Sequence, residues 1–184
     1  MIALKFNLDW QISWKRYLDQ TLSDTVIQKY FERHRRRFDG TEMRVAHCFF
    51  PIDPDTAEQA AKVMQVAQRL GRQIQTGETT FVAVVLEHSP SPSRAQNGDL
   101  GWIQYPGPMS RKFTEAAWDL SPGKISNPVK TPEGIHLIKC LEIRNGVRPW
   151  YDAKSEIRKA ATEELFEMIA DRQEAKTSVQ IIDP

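Results

Sequence analysis

The spacing of apolar residues changes period several times along the chain, and each change predicts a change of element. From Asp9 to Gln20, Trp10, Trp14, Tyr17 and Leu18 recur at i, i+4, i+7 and i+8, which places them on one stripe of a helix. A second helix is predicted behind Ser23, which can cap it, with Ile27, Tyr30, Phe31, His34 and Phe38 on one face. Asp24 falls in its first turn and Asp39-Gly40 closes it. Arg44 to Phe50 reads as a strand ended by Pro51. Asp53-Pro54-Asp55-Thr56 then opens a long helix in which Ala60, Val63, Met64, Ala67, Leu70 and Ile74 keep helical spacing, with Gly77 past its end. Phe81 to His88 is ambiguous by pattern: Val82, Val84 and Val85 favour a strand, while so short a run also fits a buried helix.

Ser89-Pro90-Ser91-Pro92-Ser93 is predicted to be loop, because each proline removes a backbone donor and pushes its predecessor out of the helical region. Asn97-Gly98 is a turn signal, and Asp99 to Ile103 behind it is a short strand with Gly101 where something approaches closely. Arg111 to Leu120 is a short amphipathic helix with Phe113, Ala116, Ala117 and Leu120 on one side, stopped by Ser121-Pro122-Gly123. Two strands follow, Ile125 to Lys130 and Ile135 to Ile143, joined by the tight turn Thr131-Pro132-Glu133-Gly134. Asp152 to Lys176 closes the chain as a helix with Ile157, Ala161, Leu165, Met168 and Ile169 on one face. Strands separated by helices and ending in a hairpin imply an α+β sheet covered by helices.

Composition narrows the function classes. The 184 residues are 40% apolar and 27% charged, enough for one real core. With 25 basic against 24 acidic side chains, the net charge of +1 gives no field that argues for nucleic acid as a partner. The run Arg33, Arg35, Arg36 and Arg37 therefore reads as a solvated helix face. The longest apolar run, Phe81 to Leu86, is far short of the roughly 20 residues of a bilayer-spanning helix, so no membrane insertion is expected. The start Met1-Ile2-Ala3-Leu4-Lys5-Phe6 reaches Asp9 quickly and shows neither the basic start nor the apolar core of a secretory signal. Cys48 and Cys140 have no CxxC or Cys/His spacing for zinc, so no metal site is expected.

Four motifs in order make the reading specific: Val45-Ala46-His47; Asn97-Gly98-Asp99-Leu100-Gly101-Trp102; Leu120-Ser121-Pro122-Gly123-Lys124-Ile125-Ser126; and Pro128-Val129-Lys130-Thr131-Pro132-Glu133-Gly134-Ile135-His136-Leu137-Ile138. Together, over residues 41 to 144, they resemble a parvulin-type (PpiC-like) peptidyl-prolyl cis-trans isomerase. The flanks, 1 to 40 and 145 to 184, resemble the helices of bacterial foldases that embed such a domain in a helical chaperone module. The resemblance implies a four-stranded antiparallel sheet wrapped by helices, and makes Phe81 to His88 a helix. It implies a site in which His47 and His136 face each other from adjacent strands, Thr131 can hydrogen-bond one imidazole, and Leu100, Met109 and Phe113 line a pocket for a proline ring. It also implies proline-containing polypeptide clients, no cofactor, and an exported, periplasmic or cell-envelope setting if the chain is part of a longer foldase.

Period-two geometry adds that Cys48 points away from His47 while Cys140 shares a face with His136, which separates the two thiols. Ser91 stands where the resembled family carries Cys or Asp. A serine hydroxyl with no adjacent activating base is a poor nucleophile but a fair hydrogen-bond partner, which fits non-covalent rotation of the X-Pro bond. Family members that read phosphorylated Ser-Pro carry a basic cluster after the first strand, whereas Pro51-Ile52-Asp53-Pro54-Asp55 here is acidic. Two functions stay open at this stage: an isomerase acting on unfolded or nascent chains, and a chaperone or holdase platform with little catalysis, suggested by Ser91 and by the aromatic face of Trp10, Trp14 and Tyr17. That face has no evident partner in the sequence.

Overall fold

The computed structural model describes residues 2–52 and 57–176, with the predicted helix opening Asp53-Pro54-Asp55-Thr56 outside the described residues. Two compact units divide the chain: residues 40–147 form one, and the segments on either side of it form the other.

In the central unit, β1 (Glu42–Pro51), β2 (Asp99–Gln104), β3 (Val129–Lys130) and β4 (Gly134–Arg144) make an antiparallel sheet of order β2-β1-β4-β3. The α+β expectation holds. Helices α3 (Ala57–Thr76) and α4 (Phe81–His88) cover one face, packing Ala67, Leu70, Phe81, Val84 and Val85 on Ala46, Cys48, Phe50, Ile135 and Leu137. Helix α5 (Arg111–Trp118) covers part of the other, with Phe113, Ala117 and Trp118 on Met43, Val45, Ile138 and Cys140. The ambiguous Phe81 run is helical because Thr80 caps it, its hydroxyl accepting from the Ala83 amide at 3.1 Å, and because Phe81, Val84 and Val85 fall on one buried face.

The predicted strand Ile125 to Lys130 is mostly irregular. Pro128 has no amide proton to give a ladder, so only Val129 and Lys130 pair regularly with β4. Upstream, Ile125 makes an isolated bridge to Lys139, and the Ser126 hydroxyl accepts from the Ile138 amide at 3.0 Å. The two cysteines lie in separate buried clusters on opposite faces of the sheet, as the alternation predicts.

In the flanking unit, α1 (Ile2–Thr21), α2 (Asp24–Arg33) and α6 (Lys154–Lys176) gather around Leu22, Ile27, Phe31, Phe38, Ala153, Ile157 and Ala161. The second predicted helix breaks at His34, beyond which Arg35–Arg37 is a 3-10 turn. Ser23 sits at the cap position but makes no side-chain capping bond. On the predicted stripes, Trp14 stacks on Tyr17 and meets the Phe166 ring edge-on at 6.1 Å, so it has a partner that the sequence did not suggest. The Trp10 side chain lies outside what is described. On the predicted apolar face of α6, Ile157 and Ala161 are buried, whereas Met168 is exposed.

Candidate active site

Alternation along β1 and β4 puts His47, Phe49, His136 and Ile138 on one face, because Phe49 is directly opposite His136 and His47 opposite Ile138. The two imidazoles stack with centroids 5.3 Å apart, their Nδ1 atoms 3.1 Å from each other. At one end of this pair, His47 Nε2 lies 3.2 Å from Ser91 Oγ and 3.1 Å from Ser93 Oγ, and the two hydroxyls are 3.0 Å apart. At the other end, His136 Nε2 lies 3.0 Å from Thr131 Oγ1. A continuous chain of polar groups therefore runs from Ser91 and Ser93 through both imidazoles to Thr131.

Protonation of this chain is constrained. Both rings are buried, at 6% and 4% exposure. Burial, reinforced by the neighbouring ring, pushes the His47 pKa down to about 4. Burial likewise pushes His136 down to about 4, against the opposing pull of Glu133. Both imidazoles are thus neutral at pH 7, and only one proton can lie between the facing Nδ1 atoms. Each neutral ring has one donor and one acceptor. With the Thr131 hydroxyl proton given to Gly134 O, His136 Nε2 donates to Thr131, His47 Nδ1 donates to His136 Nδ1, and His47 Nε2 is left as the acceptor facing the two serine hydroxyls. Thr131 is held for this role by the turn: its amide donates to Gly134 O at 2.8 Å, and its hydroxyl donates to the same oxygen at 3.3 Å.

The segment carrying Ser91 is more ordered than its prolines suggest. Pro92–Gln96 is a 3-10 turn with Ser91 as its N-cap, whose hydroxyl accepts from the Ser93 amide at 3.4 Å. Pro92 is tolerated because the first position of a helix needs no amide donor. Two stitches fasten this turn to β1: the Phe49 amide donates to Ser89 Oγ at 3.1 Å, and the His47 amide donates to Gly98 O at 2.9 Å. Gly98, at φ +85°, is required there, since a Cβ would stand 2.4 Å from His47 O. The expectation that Ser91 lacks a neighbouring base is corrected: the basic nitrogen of His47 is within hydrogen-bond reach, although its low pKa makes it a weak proton acceptor.

Leu100, Met109 and Phe113 belong to one apolar cluster. Phe113 is fully buried and packs against both imidazoles, its centroid 5.3 Å from His136 and 6.1 Å from His47 at steep ring angles. Leu100 and Met109 are half-buried against the same cluster and line an open groove of about 440 Å³ along β2, with Trp102 and Gln104. Ser110 caps α5 through the Phe113 amide and so fixes that ring. Leu100 is held by its neighbours: Asp99 accepts from Arg44 Nε at 2.9 Å and from the Gly101 amide at 2.8 Å. These bonds outweigh burial and keep the Asp99 carboxyl below its usual range.

Two residues near the site were not picked out from sequence. Ser93 has a readable signal in the Ser-Pro-Ser-Pro-Ser run, where a turn brings alternate hydroxyls together. Phe49 has a plainer one, standing two residues beyond His47 and so on the same face.

A four-stranded antiparallel sheet of this order, wrapped by helices and carrying a stacked, neutral histidine pair beside an apolar groove, defines a parvulin-like fold. Comparison with known proteins agrees: the family model of the PPIC-type PPIase (rotamase) domain matches residues 47–142, more than half of the chain, which therefore belongs to that family. Foldase protein PrsA of Bacillus subtilis (strain 168) is 30% identical over 158 residues, 86% of this chain and 47% of that protein. Chaperone SurA of Albidiferax ferrireducens is 30% identical over 118 residues, 64% of this chain and 25% of that protein. The chain thus spans about half, or less, of the length of these relatives. A solved PpiC-type peptidyl-prolyl cis-trans isomerase domain superposes with a TM-score of 0.53 at 26% identity, covering 59% of this chain and 96% of that domain.

Proposed function

We propose that the chain catalyses rotation about X-Pro peptide bonds in unfolded or nascent polypeptides and serves as a folding factor. The observation that carries this is a groove lined by Leu100 and Met109 over the apolar cluster of Phe113, whose ring packs on a buried neutral histidine pair ending in two serine hydroxyls. The pocket accepts the pyrrolidine ring. The imide carbonyl then lies beside Ser91, whose hydroxyl hydrogen-bonds it as it swings out of plane.

No covalent step is involved. Rotation has a barrier of roughly 18–20 kcal/mol set by amide resonance, and any contact stronger to the twisted amide than to the planar one lowers it. His47 and His136 position the hydroxyls, and Thr131 fixes the far end of the chain. With His47 Nε2 as the acceptor, a bond from Ser93 to it leaves the Ser91 hydroxyl to donate to the substrate carbonyl, and no net charge appears at the site. An extracytoplasmic setting, periplasm or cell envelope, is part of the proposal and rests on the kinship with the foldase and chaperone relatives.

Exchange NMR on a short Xaa-Pro peptide tests the activity. Acceleration of cis/trans exchange is expected, lowered more by Met109→Ala or His47→Ala than by Ser91→Ala. Exchange at the uncatalysed rate with protein in excess refutes it.

A further inference from the structure

We propose that Phe49 sets specificity at the residue immediately before the proline, selecting an apolar or aromatic side chain there; the inference rests on the isomerase reading. Phe49 is half-buried and shares the site face, its centroid 5.1 Å from His136 and 6.2 Å from His47. The ring is inclined by only 15° to His47 and 34° to His136, and with the imidazole centroids 5.3 Å apart it sits beside both rings in a compact cluster of three. Phe113, by contrast, is turned by 75° and 88° to those same rings and is buried. The histidine pair therefore has an aromatic ring in two different roles beside it: one walled into the proline pocket, the other lying open as a shelf.

Two further features hold the shelf in place. At Gly134, φ +153°, a Cβ would stand 2.6 Å from Phe49 Cε2 and 2.5 Å from Phe50 O, so the ring rests against bare backbone. The Phe49 amide is bonded to Ser89 Oγ, which ties the ring's own residue to the segment that presents Ser91. A carbonyl beside Ser91 belongs to the residue before the proline. Its α-carbon is bonded to that carbonyl carbon, so its side chain projects close to Ser91, and Phe49, tied by its amide to Ser89, is the half-buried aromatic ring on the site face next to that segment. An apolar side chain covers the Phe49 ring there and leaves water. A carboxylate loses hydration without a new partner and meets the field of Glu133, which acts on His136 nearby.

The test is a peptide series differing only at Xaa (Phe, Leu, Ala, Glu), with kcat/KM measured for wild type, Phe49→Ala and Phe49→Leu. Wild type is expected to favour Phe over Glu by about tenfold, the scale of pocket discrimination for apolar groups. Phe49→Ala is expected to lower the Phe peptide far more than the Ala peptide, and Phe49→Leu to retain the Leu preference. A flat series in active wild type overturns the proposal, as does an equal loss on all peptides in both variants. If no peptide is turned over, the isomerase reading fails separately. Peptide affinities by NMR titration then decide: a Phe-over-Glu order lost in Phe49→Ala upholds the shelf, and no order overturns it.

Discussion

Alternate residues of the same two strands make two unlike surfaces. On one face, Ala46, Cys48, Phe50, Ile135 and Leu137 lie under two helices, α3 and α4. Even the Cys48 thiol is sealed there, its pKa pushed up to about 12 by burial and its Sγ 3.7 Å from Val84 O. On the other face, the eight-residue α5 covers the end of the sheet around Met43 and Val45 and reaches the histidines through one side chain, Phe113. The rest of their border on the His47 side is a 3-10 turn, which brings hydroxyls instead of methyl groups. The difference teaches that polarity at this site comes from how much helix is laid on each face. Where packing is complete the strand positions are apolar, and where it is partial they are imidazole, each nitrogen with a partner.

Breaking the closed face has the largest expected effect on stability. Leu137→Ala leaves a cavity under α3 and is expected to cost about 2–5 kcal/mol in denaturant unfolding, with peptide turnover per folded molecule nearly preserved. Thr131→Val breaks the open face. It keeps shape but strands His136 Nε2 and removes an acceptor from the Glu133 amide, at a cost of about 1–3 kcal/mol, with exchange catalysis falling more steeply than stability.

Acidification distinguishes the faces without mutation. Both histidines have folded pKa values lowered from 6.5 to about 4, so the unfolded chain takes up protons first. Their contribution to stability is present in full above about pH 6.5 and is lost progressively as pH falls through about 4. Turnover is expected to hold from pH 7 to about 5 and to drop towards 4, with imidazole NMR shifts following the same curve. The smallest effects are expected at the hydroxyls, because two serve one nitrogen. Ser91→Ala leaves Ser93 on His47, and Ser93→Ala leaves Ser91. Each single change is expected to alter the His47 ring shifts less than the double change does, with Ser91→Ala the more costly single change for turnover.

Much of this contrast is legible in the chain itself. Strict alternation through Val45, His47 and Phe49 and through His136, Ile138 and Cys140 specifies which residues share a face, and it separates the cysteines. The helices over the closed face announce themselves by the spacing of Ala60, Ala67 and Leu70. What stays hidden depends on contacts between segments distant in sequence. Ser91 reads as a residue without a base because the base is 44 positions upstream. Trp14 reads as unpartnered because Phe166 lies far along the chain. Local departures were hidden for a different reason, since apolar spacing does not record them: Pro128 shortens β3, and α2 gives way to a 3-10 turn at His34 although the apolar spacing runs on to Phe38.

The central claim is that the partly covered face, and not the closed one, receives proline-containing chains. Titrating a short Xaa-Pro peptide into isotopically labelled protein and following amide and imidazole shifts tests it most directly. The expected perturbations centre on His47, Phe49, Ser91 to Asn97, Leu100, Met109, Phe113 and His136, with α3 and α4 silent apart from the end of α4 that leads into Ser89. Perturbations centred on α3 and the body of α4, with the histidine rings unmoved at saturation, would contradict the account.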